Sequence, residues 1–249
     1  STQSRSSAAS DVYKRQILIG VNMKHNRNST FNERIHVVVL TFNNKDLLVS
    51  CLSSVHRAIE YAGVEGSITV VDNNSRDGTR EAVTSLFPSV RYLRNPENYG
   101  TARGFNRGIR TGMGETYTML MNDDVELFRE TIASMITLLK RHPEAGGVPA
   151  HPVYPDGRSQ RVKIKVFGGL KRIRDDKLRT VEFCGTTACL YRTEVFEKVG
   201  LFDEFFFFYN EDLDFSIRAK RAGVRFIFDP VSYTHLTLPT STLCRSRWS

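Results

Sequence analysis

The chain has 249 residues, 40% hydrophobic and 25% charged, with a formal net charge of +8 and four cysteines. That balance describes a soluble globular protein of one large domain or two small ones, and no run reaches the roughly 20 apolar residues of a membrane span. Much of the charge sits in the two ends: residues 1–16 and 231–249 carry +2 each, leaving +4 over residues 17–230, too mild a balance to indicate a nucleic-acid partner.

The ends are unusual in another way. Residues 6–16, SSAASDVYKRQ, and residues 231–240, VSYTHLTLPT, can be encoded by one stretch of DNA and its reverse complement. That DNA resembles a transposase-type sequencing adapter, so residues 1–16 and 231–249 are set aside as non-native tails, with 17–34 as a lead-in. Cys51, Cys184 and Cys189 remain, with no CxxC spacing and no secretory signal. Buried reduced thiols in a cytosolic setting are expected.

Residues 35–40, IHVVVL, suit a central strand that stops at Thr41, Phe42, Asn43 and Asn44. Over residues 45–61, Leu47, Leu48, Cys51, Leu52, Val55 and Ile59 recur at helical spacing. A second short strand, 67–71, ends in Asp72, Asn73, Asn74 and Ser75, and Asp77 or Thr79 is expected to cap the helix that follows. Residues 90–93 are a third strand candidate. Gly100, Gly104 and Gly108 then fall at intervals of four, which clears one helix face. A ligand approaching that face and tight packing of helix on sheet explain the spacing equally well. Asn98 and Arg103 are polar donors beside it.

Residues 117–121 form an apolar run that ends abruptly in Asn122, Asp123 and Asp124, with a helix predicted from Phe128 to about His142. Alternating strands and helices imply a mostly parallel sheet, so three strands end on one edge in polar clusters. Ligands bind at that edge, and clustered carboxylates there suit a divalent cation. Capping or solvation of a turn is the plainer role for such an Asp pair.

Residues 146–160 are expected to form a loop or edge hairpin. The basic stretch 158–179 is expected to be a solvated surface, or alternatively to meet an anionic acceptor or phospholipid headgroups. Residues 183–192 suggest a strand, with Cys184 and Cys189 as packing residues, and Thr193 caps a short helix to Val199. The aromatic run 205–209, FFFFY, is expected against the sheet or lining a pocket. Asn210 is expected to cap a helix through residue 222 with Leu213 and Ile217 inward. Glu211, Asp212 and Asp214 fall in its first turn, where they favour the helix dipole, and Asp214 can pair with Arg218. The alternative is a general base at the mouth of a pocket.

Taken together, VVVLTFNN, VDNNSRDGT, NYGTARGFNRGI, LMNDDVEL, GLFDEFFFFYNEDLDFSIRAKRAG and FIFDP closely resemble, in order and spacing, the nucleotide-sugar transferases of glycosyltransferase family 2, in particular a rhamnosyltransferase-like subgroup. The resemblance covers residues 35–230. It implies an α/β fold of the A type, a mostly parallel central sheet flanked by helices, C-terminally truncated where the trailing tail begins. Residues 35–127 would be the nucleotide-binding half and 128–230 the acceptor half.

It also implies roles. Thr41 and Asn43 would border the nucleotide, and Asp72 and Asn73 the base and ribose. Asn98, Gly100 and Arg103 would approach the donor, and Asp123 would touch ribose or sugar. Asp124 would hold Mg²⁺ or Mn²⁺, with Asn122 replacing the first Asp of the family's Asp-x-Asp triplet. Asp212 would be the catalytic base and Glu211 its support. The family often adds a metal-contacting His beyond the segment ending at Pro230; His235 stands near that place but inside the adapter-like tail, and its position is set aside as coincidence. The implied reaction is inverting, metal-dependent transfer from a nucleotide-sugar donor to a glycan or lipid-linked acceptor in bacterial cell-wall or surface polysaccharide synthesis. It would take place in the cytoplasm, with peripheral association at the inner face of the plasma membrane as a further expectation. A sugar-phosphate nucleotidyltransferase would want a Gly-rich loop after the first strand, which is missing. A truncated, non-catalytic sugar-nucleotide binding module is the other alternative, and a dinucleotide oxidoreductase lacks its GxGxxG.

Overall fold

Val37, Val38 and Val39, all without exposed surface, form the middle of β1 (Arg34–Thr41). Stiff, branched side chains suit a strand covered on both faces. The computed structural model describes residues 33–153, 163–166, 169–172, 178–228 and 233–236. The leading tail, most of the lead-in and most of the basic stretch 158–179 lie outside the described residues.

From β1 the chain alternates through α1 (Lys45–Ala62), β2 (Glu65–Asp72), α2 (Thr79–Leu86), β3 (Arg91–Arg94), α3 (Gly100–Ile109) and β4 (Tyr117–Asn122). A short β5 (Val125–Leu127) comes before α4 (Thr131–Arg141), so the helix expected from Phe128 starts later. Leu127 N–H donates to Ser54 Oγ of α1 at 3.0 Å, which holds the intervening turn extended. Then follow β6 (Ala145–Pro149), β7 (His151–Val153), the β8 (Lys163–Val166) and β9 (Gly169–Arg172) pair, β10 (Arg179–Val181) and β11 (Ala188–Arg192). The described chain closes with α5 (Glu194–Val199), α6 (Glu211–Arg221), β12 (Arg225–Phe228) and β13 (Tyr233–Leu236). The β13 backbone, inside the segment set aside as a tail, pairs with β5 and β7.

The central sheet has eight strands in the order β10-β12-β6-β11-β4-β1-β2-β3. β1 is parallel to β2 and β4, β2 to β3, and β6 to β12. β11 runs antiparallel to β4 and β6, and β10 to β12. Reversal of β11 sets Ala188 opposite Met121, so the loop entering β11 arrives at the carboxyl end of β4.

Alternation along β1 divides the interior. Ile35, Val37 and Val39 face one cluster with α1 and α4, while Val38 and Leu40 face the other with α3 and α6. The second cluster is aromatic: Tyr191, Phe196, Phe202 and Phe215 interlock with centroids 4.9–6.3 Å apart. No helix among the described residues is long and apolar enough to cross a membrane.

Three expectations are corrected. The Gly-Pro-rich stretch after residue 145 contributes β6, an interior strand between β12 and β11. Its glycines permit this, since a Cβ on Gly147 would stand 2.9 Å from Leu190 O. The buried face of α6 is Glu211, Phe215, Ser216 and Ala219, with Leu213 and Ile217 only half-buried. Cys184 and Cys189, expected as reduced thiols, form a disulfide with Cα atoms 6.7 Å apart, because the turn into β11 folds both into the aromatic cluster. Cys51 is free and buried, as expected.

Candidate active site

The parallel register sets Thr41 beside Asp72 and Leu40 beside Asn122, which brings the polar ends of β1, β2 and β4 together. The turns after β1 and β2 pass through left-handed residues, Asn43 at φ 50° and Asn74 at φ 71°, a conformation asparagine tolerates better than most. Asn43 N–H donates to Ser75 Oγ at 2.8 Å, and Asn43 Oδ1 accepts from Arg76 N–H at 2.8 Å. The two turns are thereby tied to each other.

Asp123 is gripped from β1 and its turn. Thr41 Oγ1 donates to Asp123 Oδ2 at 2.6 Å, and Asn44 Nδ2 to Asp123 Oδ1 at 2.9 Å. Asn44 occupies the cap position of α1 yet makes no side-chain cap bond, because its amide is directed to the carboxylate. Asp124 is half-buried next to it. Cys51, whose thiol donates to Asn122 O at 3.7 Å, is pushed up first by burial and then by the charges of Asp123, Asp124 and Glu126.

Asp72 is fully buried and engaged within the protein. Its Oδ1 accepts from Ser75 N–H at 2.8 Å and Ser75 Oγ at 2.5 Å, and its Oδ2 from the Tyr92 hydroxyl. Burial, with the bond to Asp72, raises the Tyr92 hydroxyl above its ordinary range. Asn73, also buried, accepts from Asn95 Nδ2 at 2.7 Å and donates to Gly100 O at 3.1 Å. These residues make a rigid floor beneath the rim. Asn98 Oδ1 accepts from Gly100 N–H at 3.0 Å. Arg103 is exposed, its guanidinium 3.5 Å above the Tyr99 ring and 3.9 Å from Glu204.

Both explanations for the spaced glycines apply, at different positions. A Cβ on Gly104 would stand 2.6 Å from Leu40 Cδ1, and one on Gly108 2.2 Å from Val38 Cγ1, so these two seat α3 on β1. Gly100 has φ 69°, and its Cβ would fall 2.1 Å from Phe207 O. There the approaching backbone is the aromatic run, whose Phe207 carbonyl accepts from Thr101 N–H at 2.7 Å.

A second acidic group stands at the start of α6. Glu211 is 4% exposed; Thr186 Oγ1 lies 3.5 Å from its Oε1, while Oε2 is buried without a hydrogen-bond partner among the described residues. Burial first, then the charge of Asp212, pushes its carboxyl up to about 7. Asp212 is half-buried, and its Oδ1 accepts from Leu213 N–H at 2.8 Å. Its Oδ2 lies 3.5 Å from where a Cβ on Gly185 would stand. Thr187 O accepts from Asn122 N–H at 3.0 Å. Gly185, Thr186 and Thr187, consecutive in the loop that enters β11, therefore lie beside Asp212, Glu211 and Asn122 in turn. The acidic end of β4 and the acidic start of α6 share that loop as one wall. Asp214 turns elsewhere, pairing with Arg218 at 2.7 Å as its spacing predicts.

The aromatic run is divided. Phe206 packs against the second cluster, as expected, while Phe205, Phe207 and Tyr209 are 88%, 47% and 55% exposed and the run crosses the start of α3 at Gly100 and Thr101.

No group of three or more His, Cys, Asp or Glu side chains that could hold a metal occurs among the described residues. The donor chemistry nonetheless fits a hard divalent ion. Such ions take one or two carboxylates and fill the remaining positions with phosphate oxygens and water, and Asp124 supplies a carboxylate at the rim. Sequence reasoning placed Asn44 and Ser75 at the rim without giving them a role, and missed Tyr92 and Thr186; all four position the acidic groups. For Ser75, three residues after Asp72 in a turn, the role had a signal in the tendency of Asp to bond its own downstream backbone. Tyr92 and Thr186 are distant in sequence and carried none.

The profile of glycosyl transferase family 2 matches residues 36–200. The chain is similar to the N-acetylglucosaminyl-diphospho-decaprenol L-rhamnosyltransferase of Mycobacterium tuberculosis, 28% identical over 229 residues, covering 78% of this chain and 73% of the relative. It is also similar to the low-salt glycan biosynthesis hexosyltransferase Agl10 of Haloferax volcanii, 21% identical over 206 residues, covering 78% of this chain and 64% of that one. In fold it is similar to GalNAc-T7, solved with UDP, GalNAc and Mn²⁺, with a TM-score of 0.68 and 14% identity, covering 84% of this chain but only 44% of that one. The mannosyltransferase PcManGT of Pyrobaculum calidifontis, solved with GDP-Man and Mn²⁺, gives a TM-score of 0.62 and 16% identity, covering 96% of this chain and 69% of that one. A profile match over more than half of the sequence, on a sheet of this architecture, shows that the chain belongs to glycosyl transferase family 2 and has the A-type glycosyltransferase fold.

Proposed function

We propose that the chain transfers a sugar from a nucleoside-diphosphate sugar to a hydroxyl of a glycan or lipid-linked acceptor, with inversion at the anomeric carbon. The observation that carries this reading is the single wall joining Asn122 to Glu211 and Asp212 through Thr187, Thr186 and Gly185. A leaving group held at the strand ends and a base at the start of α6 would then meet across one cleft. The Mycobacterium tuberculosis and Haloferax volcanii relatives are named for rhamnosyl transfer to a diphospho-decaprenol and for hexosyl transfer in glycan biosynthesis, which supports such a donor and a lipid-linked or glycan acceptor. We place the reaction in the cytoplasm or at the inner face of the plasma membrane.

Thr41, Asn43, Asp72 and Asn73 would form the nucleotide side, with Asn98, Gly100 and Arg103 beside the diphosphate-sugar. Asp123, fixed in orientation by Thr41 and Asn44, would accept a hydroxyl of ribose or sugar. Asp124 would hold Mg²⁺ or Mn²⁺. A divalent cation held there would supply the positive charge that offsets the charge gathering on the departing diphosphate. Asp212 would take the proton of the acceptor hydroxyl as that oxygen bonds the anomeric carbon and the bond to diphosphate breaks. One displacement inverts the centre. Glu211, its carboxyl pushed up to about 7 by burial and by Asp212, would support the base by carrying less than a full charge beside it near neutral pH.

A thermal-shift panel of nucleoside diphosphates and their sugars, with and without Mn²⁺, tests the reading. Stabilisation by one nucleotide that depends on Mn²⁺ is expected, since a ligand bound only by the folded state raises stability. No metal-dependent shift from any nucleotide, or release of diphosphate from a nucleoside triphosphate with a sugar phosphate, would contradict it.

A further inference from the structure

We propose that Tyr209 is the acceptor platform of the site, its exposed ring stacking on the face of the sugar whose hydroxyl gives its proton to Asp212. This rests on the transferase reading above and adds to it the chemistry that seats the acceptor.

The backbone on either side of Tyr209 is pinned. Phe207 O accepts from Thr101 N–H at 2.7 Å at the start of α3, beside the residues proposed for the donor. Glu211 is buried beside Thr186 in the loop that enters β11. Residues 208–210 bridge the two, so the Tyr209 Cα lies within about 7 Å of the Cα atoms of Phe207 and Glu211, the reach of two extended residues. Asp212 follows Glu211 directly.

Within the aromatic run, the backbone singles out Tyr209. Tyr209 and Asn210 are both left-handed, at φ 65° and 70°. Asparagine tolerates that conformation, whereas a bulky side chain clashes there with its own backbone and costs stability. The ring, its centroid 4.0 Å from that of Phe208, is 55% exposed, so burial returns only part of that cost. A strained residue that displays its side chain at a cleft is placed there for use rather than for packing. Phe206, by contrast, packs into the aromatic cluster.

The groups around the ring suit a pyranose. An aromatic face is negative and takes the slightly positive axial C–H groups of a sugar ring, while carboxylates accept its hydroxyl protons. Tyr209 and Asp212 present both within three residues. An alkyl chain would engage the ring alone. A nucleobase would also stack, but the residues proposed for it, Thr41, Asn43, Asp72 and Asn73, lie at the ends of β1 and β2.

Saturation-transfer NMR with the methyl glycosides of N-acetylglucosamine, glucose, galactose, mannose and rhamnose tests this without nucleotide. At least one glycoside is expected to bind the wild-type chain, and Tyr209→Gly to weaken it about tenfold. Tyr209→Phe, which keeps the ring, should stay within about twofold of wild type. The urea midpoint of Tyr209→Gly should hold or rise, because glycine accepts the left-handed backbone. Tyr209→Asn, also at ease in that conformation, should behave in the same way as a second variant. The Mn²⁺-dependent nucleotide shift should survive in both, which separates failure of this inference from failure of the transferase reading. Wild-type protein that binds no glycoside, or a Tyr209→Gly protein that binds as well as wild type, would overturn it. So would a midpoint that falls in both variants, which makes the ring structural, or loss of the nucleotide shift, which assigns the ring to the donor.

Discussion

Glu211 and His36 shape the pH response of the molecule in opposite senses. The Glu211 carboxyl rises from 4.5 to about 7, mainly through burial. The folded state therefore binds the extra proton, and this group's contribution to stability is full below 4.5 and lost as pH rises toward 7. His36 is buried between Ser67 Oγ at 2.8 Å and Thr111 Oγ1 at 3.1 Å, and burial lowers it from 6.5 to about 4. Its contribution is full above 6.5 and lost as pH falls toward 4. Between 4.5 and 6.5 the two slopes oppose. Glu211→Gln should unmask His36, so the variant's unfolding free energy climbs with pH across that window where wild type changes less. Near pH 8 the variant should be the more stable, by up to a few kcal/mol. Urea unfolding at several pH values checks this, and a pH-independent difference between the two proteins would refute it.

Among the elements, α3 shows how much depends on missing side chains. Gly108 brings the helix to a distance at which a Cβ would stand 2.2 Å from Val38 Cγ1 and 3.0 Å from Val71 Cγ2. Overpacking of this kind costs ~1–3 kcal/mol, partly offset by the roughly 1 kcal/mol helix advantage of alanine. Gly108→Ala should still lower stability, whereas Gly114→Ala, with nothing within 4 Å of its added Cβ, should leave it nearly unchanged. Equal effects from the two would argue against the tight seating of α3 on β1. The elements of the first half were legible because their apolar residues recur at periods that sequence displays directly, and β1, α1, β2 and β4 fall within a residue or two of expectation. β5 and β6 were not. Each is short, and β6 is rich in residues that usually mark loops; both are strands because of neighbours distant in the chain.

At the scale of the whole molecule, convergence of three strand ends followed from the alternation of strands and helices, and the register of β1 with β2 and β4 bears it out. What periodicity could not reveal was the wall. It exists because β11 enters the sheet antiparallel beside β4, and the pairing of Ala188 with Met121 is a long-range choice that leaves no local trace. The same holds for the Cys184–Cys189 disulfide, whose spacing matched no familiar pattern. Hydrophobicity alone could not show which rings of the aromatic run would join the interior: Phe206 packs against the second cluster while Phe205 stays exposed. Once these placements are combined, a leaving group at Asp124 and a base at Asp212 become two sides of one proposal. The most direct test is donor turnover by Asp212→Asn with the nucleotide-sugar that stabilises the wild-type protein. Turnover should fall by at least about 100-fold, with Mn²⁺-dependent nucleotide binding intact. Turnover close to wild type would contradict the account.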